Sequence, residues 1–195
     1  MNAMQDVLIA LIIIGMVIVT SLRVDSNAKS NAVIARHDEI AQSSMKIITD
    51  YVEEDFRRIG HGLIVPSKAI TLADSSRIIF SYDKNPSAVF DSIRIEYKTE
   101  PANTTENPYD KILIRRLNYG ASLGAALGVT RFKLTYFNQY GNVLPTPVVS
   151  DSLSKIREIE MLIIINSTES MENQYARAQY VTRFTPKNLL VRYGS

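Results

Sequence analysis

The chain has 195 residues, 46% of them hydrophobic, with 22 basic and 20 acidic side chains and a formal net charge of +2. That length accommodates one domain plus an appendage, and the near balance of charge argues against a nucleic-acid binder, which carries a basic stripe. The absence of cysteine excludes a disulfide framework and any thiolate metal site, and two histidines, His37 and His61, are too few for most metal or triad chemistry.

The first element is the apolar run Val7–Leu22 (VLIALIIIGMVIVTSL). It is slightly under the ~18–20 apolar residues that a membrane-spanning helix needs. Asp6 stands directly ahead of it, with no Lys or Arg before it. Three readings are open. A cleaved signal peptide would have a basic start and a small-residue cleavage site, and both are missing. A plain single-span anchor leaves Asp6 and Gly15 without a role. A helix that is first stored in a membrane and then packed in a bundle of its own kind uses both. A carboxylate at the edge of hydrocarbon is costly unless it has a partner, and a neighbouring chain's free α-amino group would be one. Gly15 would then be a small-residue packing or bending point. The blander alternative is an acid favoured by the helix macrodipole and an incidental glycine.

From Arg23 to Ile59 the chain turns polar but keeps a helical period. Ile34, Ala41, Met45, Ile48, Val52 and Ile59 fall at spacings of three, four and seven, with Val33, Ile40, Ile47, Tyr51 and Phe56 beside them. No proline precedes Pro66, so one helix of roughly fifty-five residues, about 80 Å long, is predicted. Arg57-Arg58 followed by Gly60 and Gly62 signals its C-terminal end. Its first half would stand free, and its second half has a stripe to lay on a sheet.

Beyond Gly62 the period becomes two. Strands are predicted at Arg77–Asp83, Asp91–Thr99, Asp110–Asn118, Val129–Phe137, Ile156–Asn166 and Ala176–Thr185. Alternations such as Ile93, Ile95 and Tyr97 against Arg94, Glu96 and Lys98 are the half-buried antiparallel pattern. Met161–Ile165 (MLIII) loses the alternation and reads as a strand covered on both faces. The small-residue segment Gly120–Gly128 (GASLGAALG) reads as a mobile loop. The domain division falls near Gly60, giving a helical part, residues 1–60, and a strand-rich part, residues 61–195, that share the helix.

Chemistry-bearing constellations are missing. The chain has no phosphate-cradling glycine loop and no nucleophile elbow. Glu53-Glu54-Asp55 reads as a solvated helix face, because consecutive helical residues do not converge. Arg57-Arg58 and Arg115-Arg116 read as surface pairs, with partner docking as their functional alternative.

With these residues in view the chain resembles the type IV pilin-like proteins, the pilins and the pseudopilins of type II secretion. Their mature N-terminus looks like FTLIE followed by an apolar helix, with a glutamate at the fifth position, for which Asp6 would stand in here, and a glycine nine residues later. QDVLIALIIIG supplies Asp6 and Gly15 at that separation, with Ala10 and Leu11 in the family's Ala-Leu positions. Glu53–Gly60 (EEDFRRIG), Gly128–Asn142 and Thr185–Leu189 (TPKNL) are similar to segments of the J-type minor pseudopilins and large minor pilins. In this register Met1 and Asn2 flank the prepilin processing point, with Met1 where the family has glycine and Asn2 where it has an aromatic.

The resemblance implies an α+β, pilin-like fold in which a long N-terminal helix, membrane-embedded in its first half, packs on an antiparallel sheet. It further implies a non-enzymatic minor pilin or pseudopilin of the bacterial inner membrane, with an extracytoplasmic C-terminal domain and other pilin subunits as partners. Asp6 would neutralise the N-terminal amine of an adjacent subunit. No cofactor, metal, nucleic acid or small-molecule substrate is expected. The rival expectation is a single-pass, membrane-anchored extracytoplasmic binding module that never forms filaments.

Overall fold

The computed structural model describes residues 3–84, 92–102, 105–167, 170 and 175–190. A single unbroken helix, α1 (Ala3–Arg57), takes 55 residues, about 80 Å at 1.5 Å per residue. Ala41, Met45, Ile48, Val52 and Phe56 are buried at spacings of four and three, so one stripe of the C-terminal half faces the protein. Ile59 is buried just beyond the helix. Val33, Ile34, Ile40, Ile47 and Tyr51 stay exposed, so the apolar stripe drawn from sequence splits into a buried row and a solvent-facing row. Gly60, at φ +75°, ends the helical run, and its N–H donates to Ser81 O at 3.0 Å. Asn188 Nδ2 donates to the Ile59 carbonyl at 3.2 Å, satisfying one of the helix-end acceptors.

The described residues form one antiparallel sheet on which this stripe rests. Its strands are β1 (Ile70–Ala73), β2 (Arg77–Asp83), β3 (Ser92–Pro101), β4 (Lys111–Leu117), β5 (Ser122–Phe137), β6 (Val143–Leu144), β7 (Glu158–Asn166) and β8 (Arg177–Phe184). Their order is β1-β2-β3-β4-β5-β7-β8, with β6 paired to the end of β5. A short helix, α2 (Ser150–Leu153), connects β6 to β7. Alternation decides the faces. Ile78, Phe80 and Tyr82 of β2, Ile95 and Tyr97 of β3, Phe132, Leu134 and Tyr136 of β5, and Ile159, Met161, Ile163 and Ile165 of β7 meet α1 in one core. Their sequence neighbours face the other way.

Four of the predicted strands match to within a residue or two, as β2, β3, β4 and β7, and the last appears as β8. The remaining one, Val129–Phe137, is only the second half of β5. Residues 122–128, expected as part of a mobile loop, are strand paired with β4. The small residues there reflect close approach, since a Cβ on Gly124 would lie 2.8 Å from Ile112 Cγ2. Strands β1 and β6 escaped the sequence pattern because four and two residues are too few to show a period. In Met161–Ile165 the side facing α1 is fully buried; on the other side Ile164 is buried and Leu162 half-buried.

β5 changes partners midway. Its first half pairs with β4 and its second with β7, and the register slips near Val129 in both ladders. Gly128 makes that bulge at φ +76°, and a Cβ there would stand 2.1 Å from the Asn166 carbonyl oxygen. Gly141 has nearly the same φ, +75°, but open space around it. Gly128→Ala is therefore expected to lower stability by well over the ~1–2 kcal/mol of the left-handed conformation alone, whereas Gly141→Ala loses only about that amount. Denaturant unfolding of the two variants in detergent checks this, and equal losses would contradict the close contact at the bulge.

Candidate functional site

The N-terminal half of α1 has no protein cover. From Val7 to Leu22 every large apolar side chain is between 48% and 65% exposed, on all sides of the helix. It is a helix long and apolar enough to cross a membrane, and none of its most apolar window is buried. Moving a dozen such side chains from water to an apolar phase is worth on the order of 20 kcal/mol, more than the ~5–15 kcal/mol that holds a typical domain folded. An apolar phase or another protein surface is the stable setting for this segment.

The sequence-derived site residues distribute along it as follows. Asp6 lies in the first turn of α1, exposed, where the helix dipole favours a carboxylate. Gly15 lies in the middle of the bare segment, and a Cβ there would meet nothing within 4 Å. Nine residues separate the two, about 14 Å along the axis and roughly half a turn around it. They therefore point to opposite sides of the helix and cannot form one contact within a chain. Met1 and Asn2 lie outside the described residues. The polar end of the segment is marked by Arg23 and by an Asp25–Lys29 ion pair of 2.7 Å.

At the end of the buried row of α1, two adjacent residues make specific contacts with the sheet. Phe56, fully buried, meets Phe80, Tyr97 and Phe184 edge-on at centroid distances of 5.6, 5.8 and 5.2 Å. Such aromatic contacts add about 0.5–1.5 kcal/mol each beyond the area they bury. Asp55, also buried, accepts from Arg115 Nε at 2.6 Å and Tyr97 Oη at 2.6 Å through Oδ2, and from Arg115 Nη2 at 3.0 Å through Oδ1. The carboxylate thus joins α1 to β3 and β4 at once. This corrects the reading of Glu53-Glu54-Asp55 as a solvated face and of Arg115 as a surface residue. Only Glu54 of the three acids is exposed, paired with Arg58; half-buried Glu53 pairs with Arg57 at 3.1 Å and accepts from Tyr180 Oη. The signal was obscure because Asp55 looks like its neighbours until the sheet places Arg115 above it.

Beside this anchor lies a groove of about 400 Å³ lined mainly by Ile47, Tyr51, Val52, Leu123 and Leu127, with Arg115 at one wall. Of its three side chains with polar groups, Tyr51, Tyr97 and Arg115, the last two already serve Asp55. Among the described residues no three acids or histidines converge on a common point. The geometry supports holding and packing. No family model matches the chain, and neither a curated protein nor a solved structure matches it.

Burial, together with the neighbouring Asp55 charge, pushes the Tyr97 hydroxyl well above the ordinary tyrosine range, and burial does the same to Tyr136. Unfolded tyrosines ionise near pH 10, so above that pH the unfolded chain releases protons that the folded chain retains, and stability falls as pH rises. Tyr97→Phe should flatten this alkaline slope in denaturant titrations from pH 9 to 11, leaving the part due to Tyr136 and to Tyr180, which its hydrogen bond to Glu53 also raises. Asp55→Ala strands the Arg115 guanidinium and the Tyr97 hydroxyl and should cost about 3–5 kcal/mol at pH 7. A loss under ~1 kcal/mol would mean that the buried pair does not anchor the helix.

Proposed function

We propose that this chain is a non-enzymatic minor pilin or pseudopilin, assembling through its N-terminal helix into a type IV pilus or a type II secretion pseudopilus, at or near the tip. The observation that carries the reading is the division of one continuous 55-residue helix into a wholly bare apolar half and a half locked onto a sheet. A simple anchor needs no rigid connection between its span and its domain. A subunit that transmits a fixed axial position does. In this reading the subunit waits in the bacterial inner membrane with its domain outside. The bare helices then leave lipid and bundle with those of other subunits.

Asp6 has a specific part in that step. Its carboxylate is exposed at the head of an apolar rod, where an adjacent subunit's α-amino group would neutralise it and set the axial register. In a low-dielectric bundle the pair attracts more strongly than at a surface, although desolvation offsets part of the gain. Gly15, on the other side of the helix, would admit close approach of a different neighbour.

Asp6→Ala should abolish recovery of the chain in sheared filaments from its host, while circular dichroism shows the sheet domain unchanged. Asp6→Glu should retain most incorporation. Replacing Val7–Leu22 by an unrelated apolar span of equal length should likewise stop assembly without releasing the protein from membranes. Normal function of both variants would instead support a single-pass anchored binding module.

A further inference from the structure

The sheet face turned away from α1 carries an arginine cluster that the helix-based reading leaves unused. Arg77 of β2, Arg94 of β3 and Arg116 of β4 stand around one carboxylate, Glu96, whose side chain is only 3% exposed. Arg77 holds it closely, with Nε at 2.8 Å and Nη2 at 2.7 Å from Oε1. The other two reach Oε2 only at 3.7 Å from Arg116 Nη1 and 4.0 Å from Arg94 Nη1, beyond hydrogen-bond length. Among the described residues these three arginines make ion pairs with Glu96 alone, so three guanidiniums share a single negative charge.

Arg94 and Arg116 are the under-used members. Arg94 Nη1 is buried with no acceptor, a costly condition for a charged donor. Arg116 sends both Nε and Nη2, each at 3.1 Å, to the one neutral hydroxyl of Ser122, although a guanidinium fork is matched best by a carboxylate. Both side chains remain partly open to solvent, at 22% and 34%.

The adjoining turn adds an apolar platform. Leu117–Gly120 closes by a 2.7 Å bond from Gly120 N–H to Leu117 O, with Asn118 at φ +45° and Tyr119 at φ +61°. Asn118 Oδ1 accepts from the Arg94 backbone N–H at 2.7 Å. The Tyr119 ring lies 4.1 Å from the Arg94 guanidinium carbon and is 78% exposed. Two positive φ values suit this hairpin turn, but the second place is ordinarily glycine. Here it presents an aromatic ring beside two incompletely matched guanidiniums.

We propose that Arg94, Arg116 and Tyr119 form a docking site for an acidic segment of a partner protein, whose carboxylate accepts from the two guanidiniums while its flanking side chain rests on Tyr119. Charge complementarity selects the occupant: a second carboxylate balances the surplus that Glu96 leaves. The planar fork favours a carboxylate, and an exposed ring favours a peptide over a free ion. The site lies on the strand domain and does not depend on the filament reading.

The test uses the full chain in non-ionic detergent at low salt, with a fluorescein-labelled Glu-Phe-Glu-Phe peptide as the probe, followed by fluorescence anisotropy. Saturable binding is expected, weakening as salt is raised, with no binding of the Gln-Phe-Gln-Phe counterpart. Arg94→Gln/Arg116→Gln should weaken it at least tenfold. Because that variant also loosens Glu96, Arg116→Lys, which keeps the charge and loses the fork, and Tyr119→Gly, which keeps the turn and loses the ring, serve as milder variants. Each should weaken binding several-fold with the melting transition retained. Arg131→Gln/Lys133→Gln, which removes two exposed basic residues of β5, should leave it unchanged. No saturable binding, an equal loss in the β5 variant, unchanged affinity in both milder variants, or full displacement by equimolar inorganic phosphate would overturn the proposal.

Discussion

The structure depends on how the C-terminal half of α1 is held, because among the described residues the first half of this rod, about 80 Å long, has no cover. Phe56 and Asp55 are neighbours in sequence and lie about 100° apart around the helix, so one enters the core and the other its rim. The aromatic contacts of Phe56 supply attraction with little directional demand. The Asp55–Arg115–Tyr97 contacts are directional, with a bidentate guanidinium on one side and a hydroxyl on the other. Apolar packing alone would tolerate rotation of the helix about its axis. The buried carboxylate permits one orientation, since any turn away would leave charges unpaired in a poorly solvated place.

That restraint determines what the free half can do. A helix without an internal proline carries orientation along its length, so the faces of the bare segment bearing Asp6 and Gly15 stand at fixed angles to the sheet domain. With some twenty kcal/mol favouring an apolar environment for the bare segment, its position is governed by lipid or by other helices, and the domain follows. The proposed subunit role rests on this linkage between an apolar rod and a locked base.

The sheet is likewise two-sided. Its inner face is an apolar layer under α1, interrupted where Arg115 and Tyr97 reach Asp55 and where Tyr180 reaches Glu53. Its outer face carries Arg77, Arg94, Glu96 and Arg116, and the sheet is bulged at Gly128, where β5 passes from one partner strand to the next. The long β5 unites the two halves of the sheet, which lets one helix cover strands from both. Attachment through α1 and the proposed recognition through the outer face therefore use opposite sides of the sheet.

Much of this was legible in the residues because periodicity and hydrophobicity act locally. The bare apolar run, the extent of α1, its end before Gly60 and the paired stretches that became β2, β3, β4 and β7 each follow from a pattern within one segment. Asp6 and Gly15 could be singled out for the same reason. Other features required distant parts of the chain to meet. Sixty residues separate Asp55 from Arg115, so the burial of that acid among three that look alike was decided by the sheet alone. The first half of β5 reads as a loop until Ile112 shows why Gly124 has no side chain. The gathering of Arg77, Arg94 and Arg116 around Glu96 came from strand register, which one segment at a time does not reveal. Local chemistry determined which segments are helix or strand and which cannot remain in water. Tertiary structure decided which charges are buried, which face of the helix is held and which arginines share an acid, because those depend on contacts between residues far apart in the chain.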